Sequence, residues 1–276
     1  MAADFPIAGA TVALTGAASG IGAALAAELA RRGAHLALAD IRAAGLETVA
    51  AALPRGVRVT LHPMDVADRA AAARWPGEIA EAQGAPASVL VNNAGIALGG
   101  AFGEVAEADF DRLMEVNFHG PVRLCRAFLP GFLRLPAAQI VNLSSLFGLI
   151  APPGQTAYSA AKFALRGFSE SLRHELAGTT VGVTVVHPGG VRTAIARSAK
   201  LPPGADAAEA ARRLEAFERN LRLPPEAAAR TIAEALRRRS PRVLVGTDAK
   251  LLSALQRLAP AGYWRLIAPL MSGGKP

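Results

Sequence analysis

The feature that most constrains this chain lies at residues 10–32. A short apolar run, ATVALT, ends on Gly16 and passes through Gly20 and Gly22 into a helix-like run over residues 21–32. A buried strand, a glycine-rich turn and a helix form the first unit of a dinucleotide-binding α/β fold. The glycines are spaced G-x-x-x-G-x-G, not the commoner G-x-G-x-x-G. Their physical work is similar. Glycine permits a tight turn and lets the backbone approach a pyrophosphate, whose charge the N-terminus of the next helix meets.

The rest of the chain continues that pattern. Residues 34–40 (AHLALAD) read as a second strand that delivers Asp40 to its carboxyl end. An acid there can accept hydrogen bonds from ribose hydroxyls and would repel a 2′-phosphate. Ile41 follows it and Ser19, not a base, precedes Gly20, so NAD is favoured over NADP; Arg42 lies close enough to compete. The alternative for Asp40 is a plain helix N-cap. Residues 57–62 make a third strand, and Asp65 and Val66 lead into a helix running towards Gln83. Asp65 could serve adenine or cap that helix. Residues 88–91 form a fourth strand ending in Asn92-Asn93-Ala94-Gly95, and residues 139–143 a fifth ending in Ser144-Ser145. Between them, helices are expected over 107–116 and 118–135, with Asn117 between the two where the apolar pattern would tolerate a kink. Residues 181–186 form a sixth strand, which His187-Pro188-Gly189-Gly190 is expected to break, and 243–245 a seventh. Strands alternating with helices imply a parallel, doubly wound sheet covered on both faces, with ligands beyond the carboxyl ends of its strands.

A long helix over residues 156–176 carries Tyr158 and Lys162, which lie one turn apart on one face. An ammonium beside a phenol favours the phenolate, giving a proton donor and acceptor usable nearer neutral pH than a free tyrosine. Taken alone, the pair could be coincidence.

Charge and cysteine content narrow the function. The net charge is +8, but residues 1–191 carry 14 Lys and Arg against 15 Asp and Glu, and residues 192–276 carry 16 against 7. Basicity confined to one segment, without a zinc-finger or RNP-type motif, excludes nucleic-acid binding as the expected role. The single cysteine, Cys125, sits in an apolar helical run and precludes an internal disulfide framework. No His, Cys or Asp grouping has metal-ligand spacing, so no metal is expected. With no apolar run of spanning length and no basic n-region, a cytoplasmic enzyme is the expected setting.

Taken together, Thr15-Gly16-x-x-x-Gly20-Ile21-Gly22, Asn92-Asn93-Ala94-Gly95, Asn117, Ser145, Tyr158-x-x-x-Lys162 and Pro188-Gly189 resemble the short-chain dehydrogenase/reductase family over roughly residues 8–195. The resemblance implies a seven-stranded Rossmann-type sheet in one domain spanning 1–276, a nicotinamide cofactor, and a homodimer or homotetramer. It implies Tyr158 as acid–base group and Ser145 as donor to the substrate oxygen. Lys162 would lower the Tyr158 pKa and hold ribose hydroxyls, and Asn117 would fix a proton-relay water. It extends the dinucleotide site to Ser19, Asp40, Asp65, Val66, Asn92, Ala94, Gly95, Val191 and Thr193, and its spacing selects Ser145 over Ser144.

The substrate side is read from apolar residues. The loop 146–153 (LFGLIAPP) is a candidate wall. Leu146 and Phe147, with Ile96, Leu98, Leu149 and Ile150, suit an apolar secondary alcohol or ketone. Residues 194–223 read as a variable lid with one helix over 207–221, and residues 225–239 as a further helix. The tail, 247–276, carries a stripe of Leu251, Leu252, Leu255 and Leu258. Packing on the cleft or on a partner subunit is the leading reading of that tail, with membrane-surface contact the lesser one. Two rivals stand beside a dehydrogenase: a nucleotide-sensing scaffold without chemistry, and an epimerase or dehydratase.

Overall fold

The computed structural model describes residues 4–271 apart from 203, 205 and 220. Its centre is a seven-stranded parallel sheet in the order β3-β2-β1-β4-β5-β6-β7. The strands are β1 (Thr11–Thr15), β2 (His35–Asp40), β3 (Val59–Pro63), β4 (Val89–Asn92), β5 (Ala138–Leu143), β6 (Val181–Pro188) and β7 (Arg242–Val245). Strands β1, β4 and β5 are buried along their whole length, as strands covered on both faces must be. Strand order reverses between β1 and β4, and that crevice is where open α/β sheets take ligands.

Helix α1 (Gly20–Arg31) and α8 (Pro225–Arg237) pack on one face through Leu25, Leu29, Ile232 and Leu236. The other face is covered by α3 (Arg69–Gln83), α5 (Gly120–Phe132) and α6 (Thr156–Glu175), where Trp75, Phe128 and Phe132 stack edge-on or tilted. Helix α2 (Ala43–Ala51) lacks a sequence signature because it buries one residue, Leu46. Helix α4 (Glu107–Met114) does not break at Asn117. It runs through a π-helical turn, Glu115–His119, directly into α5.

Two further expectations are corrected. Strand β6 continues through His187 and Pro188, which pair with Leu244 and Val245. Pro188 is the last paired position there, and β5 has already ended at Leu143↔Val186. Asp65 does not cap α3, whose first residue lies four positions further on. Asp68 caps it, accepting from the Ala70 and Ala71 amides.

The C-terminal third leaves the sheet. Helix α7 (Ala207–Glu218) lies in the expected lid, and α9 (Thr247–Leu258) and α10 (Tyr263–Met271) form the tail. Residues 203, 205 and 220 of the lid and 272–276 of the tail lie outside the described residues.

Candidate active site

The glycine turn is held by contact as much as by conformation. Gly16 and Gly20 have φ of 65° and 56°, values that side chains disfavour. A Cβ on Gly22 would overlap the Gly16 carbonyl oxygen and lie 2.6 Å from the Asn93 amide nitrogen. That amide donates to the carbonyls of Thr15 and Gly16 (2.9 and 3.0 Å). The Thr15 hydroxyl in turn accepts from Asn93 and Ala94 N–H (3.0 and 3.1 Å). Thr15 and Asn93 therefore lock the β1 turn to the end of β4.

Ser19 is the N-cap of α1, yet its side chain makes no capping bond. Its hydroxyl instead accepts from Arg42 (2.7 Å). The leading N–H groups of α1 thus lack a side-chain acceptor, which is what a helix end suited to an anion requires. Thr193 closes over this turn, its Cγ2 3.1 Å from where a Gly20 Cβ would stand.

Asp40, almost fully buried, accepts from Ala18 N–H through one oxygen (3.1 Å) and from Arg42 N–H and Nε through the other (3.0 and 3.3 Å). It is not an N-cap: Arg42 holds that position of α2, without a side-chain cap. Asp65 accepts from Ala67 N–H (2.9 Å) and from Arg112 (2.5 Å). Val66 is buried beneath Gly120.

The proton-transfer end lies across β4, β5 and α6. The Ser145 side chain, which accepts from Phe147 N–H (3.1 Å), lies close enough to Tyr158 to lower its pKa, and the Tyr158 ring meets Phe147 edge-on, centroids 6.2 Å apart. The Lys162 ammonium is 5.6 Å from the Tyr158 ring centre and donates to the Leu143 carbonyl (3.0 Å). A Cβ on Gly95 would stand 3.2 Å from Asn117 Oδ1 and 3.6 Å from Lys162 Nζ, so these three meet. The Asn117 side chain accepts from Ile96 N–H and donates to Ile96 C=O, both at 2.9 Å. Ser144 is buried and donates to the Lys162 carbonyl (2.8 Å), which leaves Ser145 as the serine facing Tyr158.

Burial governs the ionisation here. It pushes the Tyr158 phenol up, against the lowering pull of the Ser145 side chain, and Lys162 down to about 8. Desolvation drives both groups towards neutrality.

Several contributors escaped the sequence reading. His187 is fully buried, and its Nδ1 lies 3.0 Å from the Ser145 carbonyl oxygen, which also accepts from Gly148 N–H (3.0 Å). Asp248, in the first turn of α9, accepts from Gly190 N–H (2.6 Å), and its carboxylate packs directly on Gly189. It thereby fixes the turn after Pro188, while Val191 pairs with Leu223. The Tyr263 hydroxyl accepts from Ala151 N–H (2.9 Å). Around it Leu146, Ile150 and Ile267 form a buried cluster with Leu252, Leu255 and Trp264. One face of the tail therefore packs on the apolar loop.

Strip 96–100 follows β4 in the chain. The lid lies on it through Lys200, whose backbone bonds to Ala97 and Gly99 (3.3 and 3.1 Å) and whose ammonium pairs with Asp109 (2.6 Å). No group of three His, Cys, Asp or Glu suited to a metal occurs among the described residues.

The family model for short chain dehydrogenases matches residues 10–202. SadH of Mycobacterium tuberculosis, named as an oxidoreductase, is 44% identical over 264 residues, 94% of either chain. Dehydrogenase/reductase SDR family member 7B of Bos taurus is 32% identical over 266 residues, covering 94% of this chain and 80% of that one. Among solved structures, a short-chain dehydrogenase/reductase from Burkholderia phymatum in complex with NAD superposes with a TM-score of 0.83. It is 31% identical, with 92% of this chain and 95% of that one covered. One from Burkholderia cenocepacia in complex with NADP gives 0.76 at 25% identity, covering 95% and 98%.

Proposed function

The chain belongs to the short-chain dehydrogenase/reductase family and is an oxidoreductase of it, and from that premise we propose that it interconverts an apolar secondary alcohol and its ketone, with Tyr158 as the acid–base group. The observation that carries this reading is Tyr158, partly buried beside Ser145 and Phe147, with the Lys162 ammonium 5.6 Å from its ring and one turn along α6. A nicotinamide dinucleotide, when bound, supplies the hydride acceptor or donor. The residues present fit such a group: an uncapped helix end beyond the glycine turn, a carboxylate at the end of β2, and small residues at 94 and 95. Gly16, Ser19, Gly20, Ile21 and Gly22 would take its pyrophosphate, Asp40 the adenosine ribose, and Asp65 and Val66 the adenine. Asn92, Ala94, Gly95, Pro188, Gly189, Val191 and Thr193 would line its nicotinamide half.

In oxidation Tyr158, as the phenolate, accepts the alcohol proton and becomes the neutral phenol, while Ser145 donates to the oxygen on which negative charge grows. In reduction, Tyr158 returns the proton. Lys162, held near neutrality by burial, is suited to pass a proton towards Tyr158 as well as to hold ribose hydroxyls. NAD is preferred over NADP because a 2′-phosphate would meet the Asp40 carboxylate. The substrate's apolar body lies against Leu146 and Phe147, and an assembly of two or four copies through α5 and α6 is supported by the half-exposed ring of Phe163 on α6.

Tyr158→Phe removes one oxygen and no packing. Turnover of the alcohol or ketone found by screening with NADH absorbance is expected to fall by about 10³-fold, with the NADH dissociation constant by fluorescence unchanged. A variant that keeps its rate would overturn the assignment, whereas a parent that binds NADH and turns over no substrate would favour a nucleotide-sensing role.

A further inference from the structure

Helix α9 has two unlike sides. Inward it places Ala249, Leu252, Ser253 and Leu255 against the body of the protein. Outward it presents Thr247, Lys250, Leu251, Ala254, Arg257 and Leu258, all exposed and none acidic. Leu251 and Leu258 are seven residues apart, two turns on one face, and leave 69% and 85% of their surface in solvent. A base precedes each, and Arg265-Leu266 repeats the pair on α10, with Leu266 56% exposed. Among the described residues, neither Lys250, Arg257 nor Arg265 pairs with a carboxylate, whereas Arg32, Arg112, Arg123 and Arg237 all do.

This face asks for a partner that is apolar below and anionic above. A second copy fits poorly, since a two-fold contact sets the same patch against itself and would bring Lys250 and Arg257 towards their own like. An anionic lipid layer meets both demands: leucines enter the acyl boundary while lysine and arginine stay at headgroup level. Spanning is not involved, because no helix among the described residues is long and apolar enough to cross a membrane. We propose that the outer face of α9, extended by Arg265 and Leu266, docks this protein on an anionic membrane surface. The inner face of the same helix packs on loop 146–151, so docking sets the apolar wall of the cleft one helix away from the lipid.

The test is co-sedimentation of the full chain with vesicles of phosphatidylcholine alone, or mixed equally with phosphatidylglycerol, at low and high salt. Capture by the mixed vesicles only, with release by salt, is the expected result. Lys250→Glu with Arg257→Glu is expected to cut partitioning by about tenfold or more, and Leu251→Ser with Leu258→Ser by a similar factor. Both double variants change exposed positions, so melting temperature and NADH fluorescence titration should match the parent. Equal capture by both vesicle types, capture by neither, or full capture of both variants would overturn the proposal. So would light scattering in which the leucine variant alone dissolves a larger assembly, which would assign the face to a second copy.

Discussion

The two ends of the cleft are built on different principles. At the glycine turn each residue is dictated by its neighbours' atoms: Gly22 leaves room for the Gly16 carbonyl, Asn93 bridges two strand ends, and Thr15 holds the next loop. At the substrate end, Leu146, Ile150, Ile267 and Trp264 pack through apolar area that other side chains of similar volume could supply. A backbone that must approach a fixed ligand admits few residues, whereas a wall that need only be dry admits many.

Substitution should expose that contrast, most strongly at the glycine turn. Gly22→Ala would force a Cβ into the Gly16 carbonyl, and a loss of about 3 kcal/mol or more with abolished NADH binding is expected. Thermal unfolding and fluorescence titration measure the two effects, and an alanine variant that binds NADH normally would erase the distinction.

His187 comes next, at the junction of the two ends. Burial lowers its pKa to about 4 from the ordinary value of 6.5; Arg242 and Arg166 also oppose its charge, and Glu170 and the Ser145 carbonyl favour it. The folded pKa lies below the unfolded one, so the unfolded chain takes up the proton first as pH falls. Stability is thus complete above about pH 6.5 and lost progressively down to about pH 4, by roughly 3 kcal/mol. His187→Asn, which keeps a donor for the Ser145 carbonyl, should flatten that part of the pH–stability curve relative to the parent.

Asp40→Ala tests the outer edge of the cofactor end. Preference for NAD over NADP in competition binding is expected to relax by about tenfold, the worth of one charge-assisted hydrogen bond. Unchanged selectivity would move the discrimination to Arg42 and Ser19, which already bond to each other. The smallest effect is expected at the substrate end. Tyr263→Phe removes one hydrogen bond to Ala151 and keeps the ring, so about 1 kcal/mol of stability should go, read from denaturant midpoints, with NADH affinity intact.

The same contrast explains what could be read from the chain. The seven strands were legible because each is a short apolar run closed by glycine, proline, serine, aspartate or asparagine, and the cofactor end because its glycines and Asp40 lie close together in sequence. The partners of that end were less so. Asp248 lies 58 residues beyond Gly190, and nothing local distinguishes it from any acid in a helix's first turn. Tyr263 meets Ala151 across 112 residues. Helix α2 buried too little to show a period. Asn117 was recognisable as an interruption but not as a change of helix type, since a single polar residue between two apolar helical runs reads the same for a kink as for a π turn.

That added residue has a geometric consequence. Leu113 and Leu124 are eleven residues apart, about three turns, so an uninterrupted α-helix would aim both the same way. Leu113 instead packs with Ala157 and Ala161 of α6, while Leu124 joins Ile140 and Phe128 beneath the sheet. The π turn acts as a phase shifter, turning one continuous rod by about a quarter of a revolution between its halves. A single helix can thus wall the cleft with one end and floor the sheet with the other. Deleting one residue from 115–119 would leave the rod continuous but point one of its two ends at the wrong neighbour.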